Sequence, residues 1–348
     1  SGDPDKLDIG DILIDWTPDE QKELIGKTLF DPSGVGSVRF HHRATQEYLA
    51  ALRLDRLRSD GIHNRSLFAL LFGEVGGEAV VKPSMAPVAA WLALWHVGIR
   101  RVVREREPAL LFRQGLPSAL SLDIRAEVLR AFVPQYAGKG WCHAGVGHDE
   151  LKRVAHSQLS DLVRELWEDA YTGHDSRKLL LEMIWLTPMP DCADLSLAAA
   201  LDNTLEPHHR TYASWGVLAA GNQAQKQDLA QAVLGSSLPQ RVIRNVLPET
   251  VPSLIGLSDF LQLLDGLDNT PNDVHGLNYT IYRVTKSDGL GREEQVALRD
   301  ALVESIWTTR QPDCRMYQAH SARDHFQDGL ISLCHSTTPV GEEDPGPW

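Results

Sequence analysis

Two stretches of the chain hold the residue types that ligate metals. Cys142, His143, His148 and His156 form one, and Cys314, His320, His325, Cys334 and His335 form the other. A zinc ion needs about four nitrogen or sulfur ligands converging as a tetrahedron. Neither stretch has the spacing of a common zinc motif, and Gly140, Gly145 and Gly147 mark the first as a loop. The first is read as an interaction loop and the second as cysteines packed in helices, with no metal assigned to either. Phosphate cradling needs G-x-x-x-x-G-K-[ST]. Gly26-Lys27-Thr28 supplies the end of that pattern, but Gln21 stands where its first glycine belongs. The segment also closes a predicted helix, where a phosphate loop would open one. Gly289 and Gly291 are followed by Arg292 in place of the lysine. There is no G-x-S-x-G elbow and no H-E-x-x-H, so no catalytic residue is assigned and the chain is read as a non-enzyme. Asp191 and Asp194 read as a helix N-cap and a first-turn carboxylate.

Charge narrows the partners. The 348 residues include 47 acidic and 34 basic side chains, a formal charge of −13. That balance argues against nucleic acid. Arg100, Arg101, Arg104 and Arg106, with Arg113 nearby, form the one basic run, broken by Glu105 and Glu107. It reads as a solvated helix face. Contact with an acidic partner would need several of these cations to act together. The four cysteines are isolated, as in a reducing, cytoplasmic setting. No basic segment precedes an apolar run at the start, so no secretory leader is expected, and no stretch of about 18 apolar residues would cross a membrane.

The elements that would position these residues are mostly helices. Thr17-Pro18-Asp19-Glu20 is a capping box with proline at the first helical position, which predicts a helix from Thr17 to about Thr28. Leu29-Phe30 and Val38-Arg39-Phe40 flank a Pro-Ser-Gly turn and predict a short β-hairpin. A helix follows from His42 to Leu57, with Tyr48 expected to pack in its core. From residue 64 onward helix follows helix with almost no strand signal: 88–95, 125–133, 159–170, 178–186, 192–201, 212–220 and 228–234. Segments 178–186 and 192–201 are apolar nearly all round, as in a stacked array whose inner helices touch neighbours on more than one side. Trp91, Trp95, Trp167, Trp185 and Trp215 are expected to fill gaps between helical hairpins. The fold class is therefore all-α: a HEAT-like α-solenoid over residues 64–335, preceded by part of a winged helix over 1–57 and followed by a disordered tail over 336–348. Roughly six to eight hairpins of loose period are expected.

One stretch carries a family resemblance. Phe40, His42, Gln46, Glu47, Tyr48, Ala50 and Ala51 match in register a pattern of aromatic, one residue, His, three residues, Gln-Glu-aromatic and then Ala-Ala. The stretch resembles the end of the winged-helix domain of NACHT-type STAND NTPases, the signalling ATPases that include NOD-like receptors and bacterial antiphage proteins. The resemblance implies that the chain is part of a longer protein with its own NTPase domain, which binds ATP or ADP with Mg²⁺. It implies that His42 senses the nucleotide phosphates there. It also implies a helical array that binds a protein trigger and controls homo-oligomerisation in antiviral defence and innate immunity. An imidazole at a helix N-terminus is suited to a phosphate. Read from the residues alone, His41 and His42 are a strand-to-helix junction with one solvent-facing and one packed ring. The chain itself has no cofactor. The other reading of the whole is a free-standing helical-repeat scaffold without a nucleotide switch.

Overall fold

Thr17 opens the first long helix as its sequence dictates. The Glu20 amide donates to Thr17 Oγ1 at 3.4 Å, and the Thr17 amide donates to Glu20 Oε2 at 2.8 Å. The computed structural model describes residues 7–33, 37–136, 146–168, 173–267, 277–286 and 290–308, with Leu330, Ile331, Leu333, Cys334 and Thr337. Two compact units divide these residues. One runs to Val154 and also takes in Gly173; the other is built from Ala155 onward. The predicted start of the array near residue 64 thus lies inside the first unit.

The first unit begins with β1 (Leu7–Asp8), α1 (Ile9–Ile12), α2 (Pro18–Ile25), β2 (Phe30–Pro32) and β3 (Ser37–Phe40). The expected hairpin forms, with Phe30 opposite Phe40 and their rings 4.9 Å apart. A third strand joins it, because Leu7 pairs with Val38 and places β1 on the far side of β3. Next come α3 (Arg43–Ser59), α4 (Asn64–Leu71), β4 (Phe72–Val75), β5 (Glu78–Val81), α5 (Ala86–Trp95), α6 (Val97–Arg106), α7 (Leu110–Arg113), α8 (Leu122–Tyr136) and α9 (His148–Val154). The β4–β5 hairpin corrects the reading of uninterrupted helices from residue 64. Gly76 and Gly77 both take positive φ, at 61° and 82°, as a tight two-residue hairpin turn requires. Tyr48 lies edge-on to Trp91 and Trp95 where α3 meets α5, at 5.1 and 5.8 Å. It remains 37% exposed, so it bridges two helices at their rim and is not a core residue.

The second unit is a two-layer array of helices: α10 (Ser160–Glu168), α11 (His174–Leu186), α12 (Ala193–Leu201), α13 (Pro207–Ala220), α14 (Gln223–Leu234), α15 (Gln240–Thr250), α16 (Leu257–Gly266), α17 (Leu277–Thr285) and α18 (Arg292–Thr308). The odd-numbered helices α11, α13, α15 and α17 pack in succession to form one layer. In the other, α12 packs on α14 and α16 on α18. Helices of the first layer start at 174, 207, 240 and 277, a spacing of 33, 33 and 37 residues. The apolar character of 178–186 has the expected result: Leu179 to Ile184 are all buried, between α10, α12 and α13. Thr337 is the one described residue of the stretch 336–348. It is buried, donates to the Leu333 carbonyl at 2.7 Å and accepts from Arg299 at 3.1 Å.

Candidate functional site

His42 is the N-cap residue of α3, with extended backbone, no side-chain cap bond and an exposed ring. His41 beside it is also exposed and reaches Asp31 Oδ1 at 2.9 Å. Neither ring is packed, so the reading with one buried imidazole is corrected. Gly26-Lys27-Thr28 does not fit a phosphate. Gly26 is the C-cap of α2, and Lys27 Nζ lies 3.0 Å from Glu23 Oε1. Near the start of the chain an apolar cleft of about 150 Å³ opens between α1, α2 and the sheet. Ile12, which lines it, is 57% exposed.

Three arginines of the basic run are engaged within the chain. Arg100 donates to the Ala93 carbonyl at 2.9 Å and so caps the last turn of α5. Arg104 pairs with Glu127, and Arg106 lies 2.8 Å from Glu78. Asp191 is not an N-cap: it sits in a 3-10 turn ahead of α12, whose cap position is Cys192. Its carbonyl accepts from Arg164 Nε at 2.7 Å, and Arg164 also pairs with Asp194. Of the sulfur and imidazole groups considered above, Cys142, His143, Cys314, His320, His325 and His335 lie outside the described residues. His148 opens α9, His156 caps a 3-10 turn by accepting from the Gln158 amide at 3.2 Å, and Cys334 is exposed.

Two features of the second unit's first layer gather aromatic and titratable side chains. One is an aromatic groove. The rings of Trp185 and Trp215 lie 4.8 Å apart, with Tyr212 against both. The indole N–H of Trp215 donates to the Asn245 carbonyl at 3.2 Å and ties α13 to α15. Beside them runs a groove of about 590 Å³, lined further by Leu218, Glu249, Tyr279 and Arg283. The expected gap-filling tryptophans are therefore half-exposed at a helix face.

The other is a cluster of three imidazoles that short-range spacing did not reveal. His174 is the first residue of α11; His208 and His209 are the second and third of α13. Ring centroids lie 4.5 Å apart for His174 and His208, 4.2 Å for His174 and His209, and 4.1 Å for the adjacent pair. One ring nitrogen of each lies within 4.8 Å of one from each of the others. Glu206 is the N-cap residue of α13 yet does not cap it. Its Oε2 lies 3.1 Å from His174 Nε2 and 3.5 Å from His208 Nδ1. The hydrogen bond from His174 holds the Glu206 carboxyl below its ordinary range. Burial, then the nearness of His209 and His174, lowers His208 to about 4; burial lowers His209 too. Both rings are therefore neutral near pH 7. The signal that would have found the cluster is the 33-residue spacing from α11 to α13, which puts the first turns of the two helices side by side. Among the described residues no helix is long and apolar enough to cross a membrane. No family model, no curated protein and no solved structure matches this chain.

Proposed function

We propose that the chain is a protein-recognition array, the sensor and regulatory part of a NACHT-type switch ATPase. The aromatic groove along α11, α13, α15 and α17 carries the recognition half of this reading. Large flat side chains with polar tips, half-exposed on a supporting helix layer, are what protein interfaces use as anchors. Stacked helices present such a face along their length. The switch half rests on the resemblance at residues 40–51. In support, His42 is exposed at the start of a long helix, where a phosphate of a nucleotide held elsewhere would be accommodated. The open apolar cleft lined by Ile12 is a surface that the protein's own NTPase domain would cover. The reading gives this chain no catalytic step. ATP or ADP with Mg²⁺ would bind in the NTPase domain, in the cytoplasm, and a protein trigger on the array would release homo-oligomerisation in antiphage defence.

The residues encoded ahead of Ser1 test it. A loop of the form G-x-x-x-x-G-K-[ST] is expected there. In that longer protein, His42→Ala should loosen ADP, read as faster exchange of a fluorescent analogue. Absence of such a loop leaves the second reading, a scaffold without a switch, which the groove supports equally.

A further inference from the structure

We propose that His174, His208 and His209 bind one divalent cation of the zinc class, with Glu206 as the carboxylate that orients two of the ligands. Oxygen contacts on the outer side of the cluster orient the three rings. His209 Nε2 faces the carbonyl oxygen of His174 at 2.9 Å, so it carries the proton and donates. The lone pair is then on His209 Nδ1, which is buried and makes no hydrogen bond, in a residue only 2% exposed. His174 Nε2 lies 3.1 Å from Glu206 Oε2 and donates to it, and His208 turns Nδ1 towards the same oxygen at 3.5 Å. The inward nitrogens are His174 Nδ1, buried 3.9 Å from Asp175 Oδ1, and His208 Nε2, also buried. Each ring thus turns one nitrogen outward to an oxygen and keeps the other inside, the arrangement in which metal-bound histidines are held by a carboxylate or carbonyl behind them.

Packing alone does not ask for these residues. In the next helix of the layer the third position, equivalent to His209, is Val242, and it is fully buried. The layer is therefore built with a plain hydrocarbon at that place. A helix N-terminus also disfavours a protonated imidazole, and here two N-termini meet. A cation that accepts three lone pairs gives the cluster a role that valine could not fill. Zinc–nitrogen bonds of 2.0–2.1 Å in a tetrahedron set the nitrogens about 3.4 Å apart. One nitrogen of each ring already lies within 4.8 Å of one from each of the others, so binding asks the nitrogens to converge while the ring centres part, a rotation about the side-chain bonds. Imidazole donors suit zinc, cobalt, nickel and copper, and exclude calcium and magnesium as favoured ions.

The test uses the chain without an affinity tag, stripped by chelator and dialysed. Co²⁺ is titrated by its visible absorption, and Zn²⁺ by competition with a chromogenic chelator. One Co²⁺ per chain should give the absorption of a nitrogen-bound site, and Zn²⁺ should raise the unfolding temperature of the stripped protein. His209→Val copies the packing of Val242 and should keep the helical circular dichroism while losing the Co²⁺ signal. His208→Ala should do the same. Glu206→Gln should retain the signal with affinity about 10–100-fold weaker. No binding at micromolar metal overturns the proposal. So does a Co²⁺ signal that is unchanged in both His209→Val and His208→Ala, since the ion would then sit on other cysteines or histidines of the chain.

Discussion

A methyl group on Gly216 would lie 2.8 Å from Ser196 Oγ and 3.3 Å from Ser196 Cβ, so α12 and α13 pack to the limit that a glycine allows. Ser196 is fully buried, and its hydroxyl makes no hydrogen bond. Gly216→Val should lower stability by about 1–3 kcal/mol through overpacking. In Gly216→Ala the clash is opposed by a helix-propensity gain of about 1 kcal/mol. Combining Ser196→Ala with Gly216→Ala removes the closest atom, so the double variant should be more stable than Gly216→Ala alone. Urea midpoints decide it; a double variant no better than the single one would show that the backbones, and not Ser196 Oγ, set the spacing.

Arg210 reaches from α13 to the end of α12. Its Nε donates to the Ala200 carbonyl at 2.8 Å from a side chain only 4% exposed. Arg210→Met keeps the aliphatic stem but leaves a buried carbonyl unpaired, at a cost of about 1–3 kcal/mol. Arg210→Lys should recover only part of this, because a single ammonium cannot reproduce the planar fork. Thermal unfolding of the three proteins side by side checks the order.

Arg164 and Asp194 give a pH dependence whose sign is set by the carboxylate. Burial pushes Asp194 up, but the Arg164 guanidinium and the Leu195 amide more than offset that and hold it below the ordinary aspartate range. Its contribution is therefore complete at pH 7 and is lost as pH falls through the folded value, below about 4. Asp194 is 63% exposed, so the pair is worth only about 0.2–1 kcal/mol. Asp194→Asn should be slightly less stable than the parent at pH 7, with the gap closing towards pH 3. A gap that widens on acidification would contradict this pairing.

Cys192 and Cys334 should differ in reactivity. Burial pushes the Cys192 thiol up to about 11, and its Sγ donates to the Ser160 carbonyl at 3.4 Å. Cys334 is exposed. Iodoacetamide at pH 8 should label Cys334 in the native protein and Cys192 only after unfolding, since the thiolate is the reacting form. Peptide mass spectrometry reads the outcome, and equal native labelling would mean that α12 opens readily.

Local chemistry made much of this fold readable. Thr17 with Glu20 announced α2, and the aromatic pair Phe30 and Phe40 announced the first hairpin. The all-round apolar run 178–186 announced a helix enclosed by others, whereas 192–201 leaves Ala198 and Leu201 exposed on one face. The second hairpin was missed because Gly76-Gly77 reads as a break between helices unless the alternation in the strands beside it is weighed. The histidine cluster was invisible for a different reason. His174 and His209 are 35 residues apart, and only the stacking of α11 on α13 brings them together. Arg100 belongs to a run that reads as a solvated helix face, yet it donates to a carbonyl at the end of α5, as Arg164 and Arg210 do to carbonyls of neighbouring turns and helix ends.

The succession α11, α13, α15, α17 has a consequence for how the second unit comes apart. Each helix of that row rests on the one before and the one after, so damage should spread to adjacent hairpins and fade with distance. Amide protons should then exchange on a gradient along the chain, slowest in the enclosed Leu179–Ile184 segment and fastest towards α17, like a ladder that frays from its last rung.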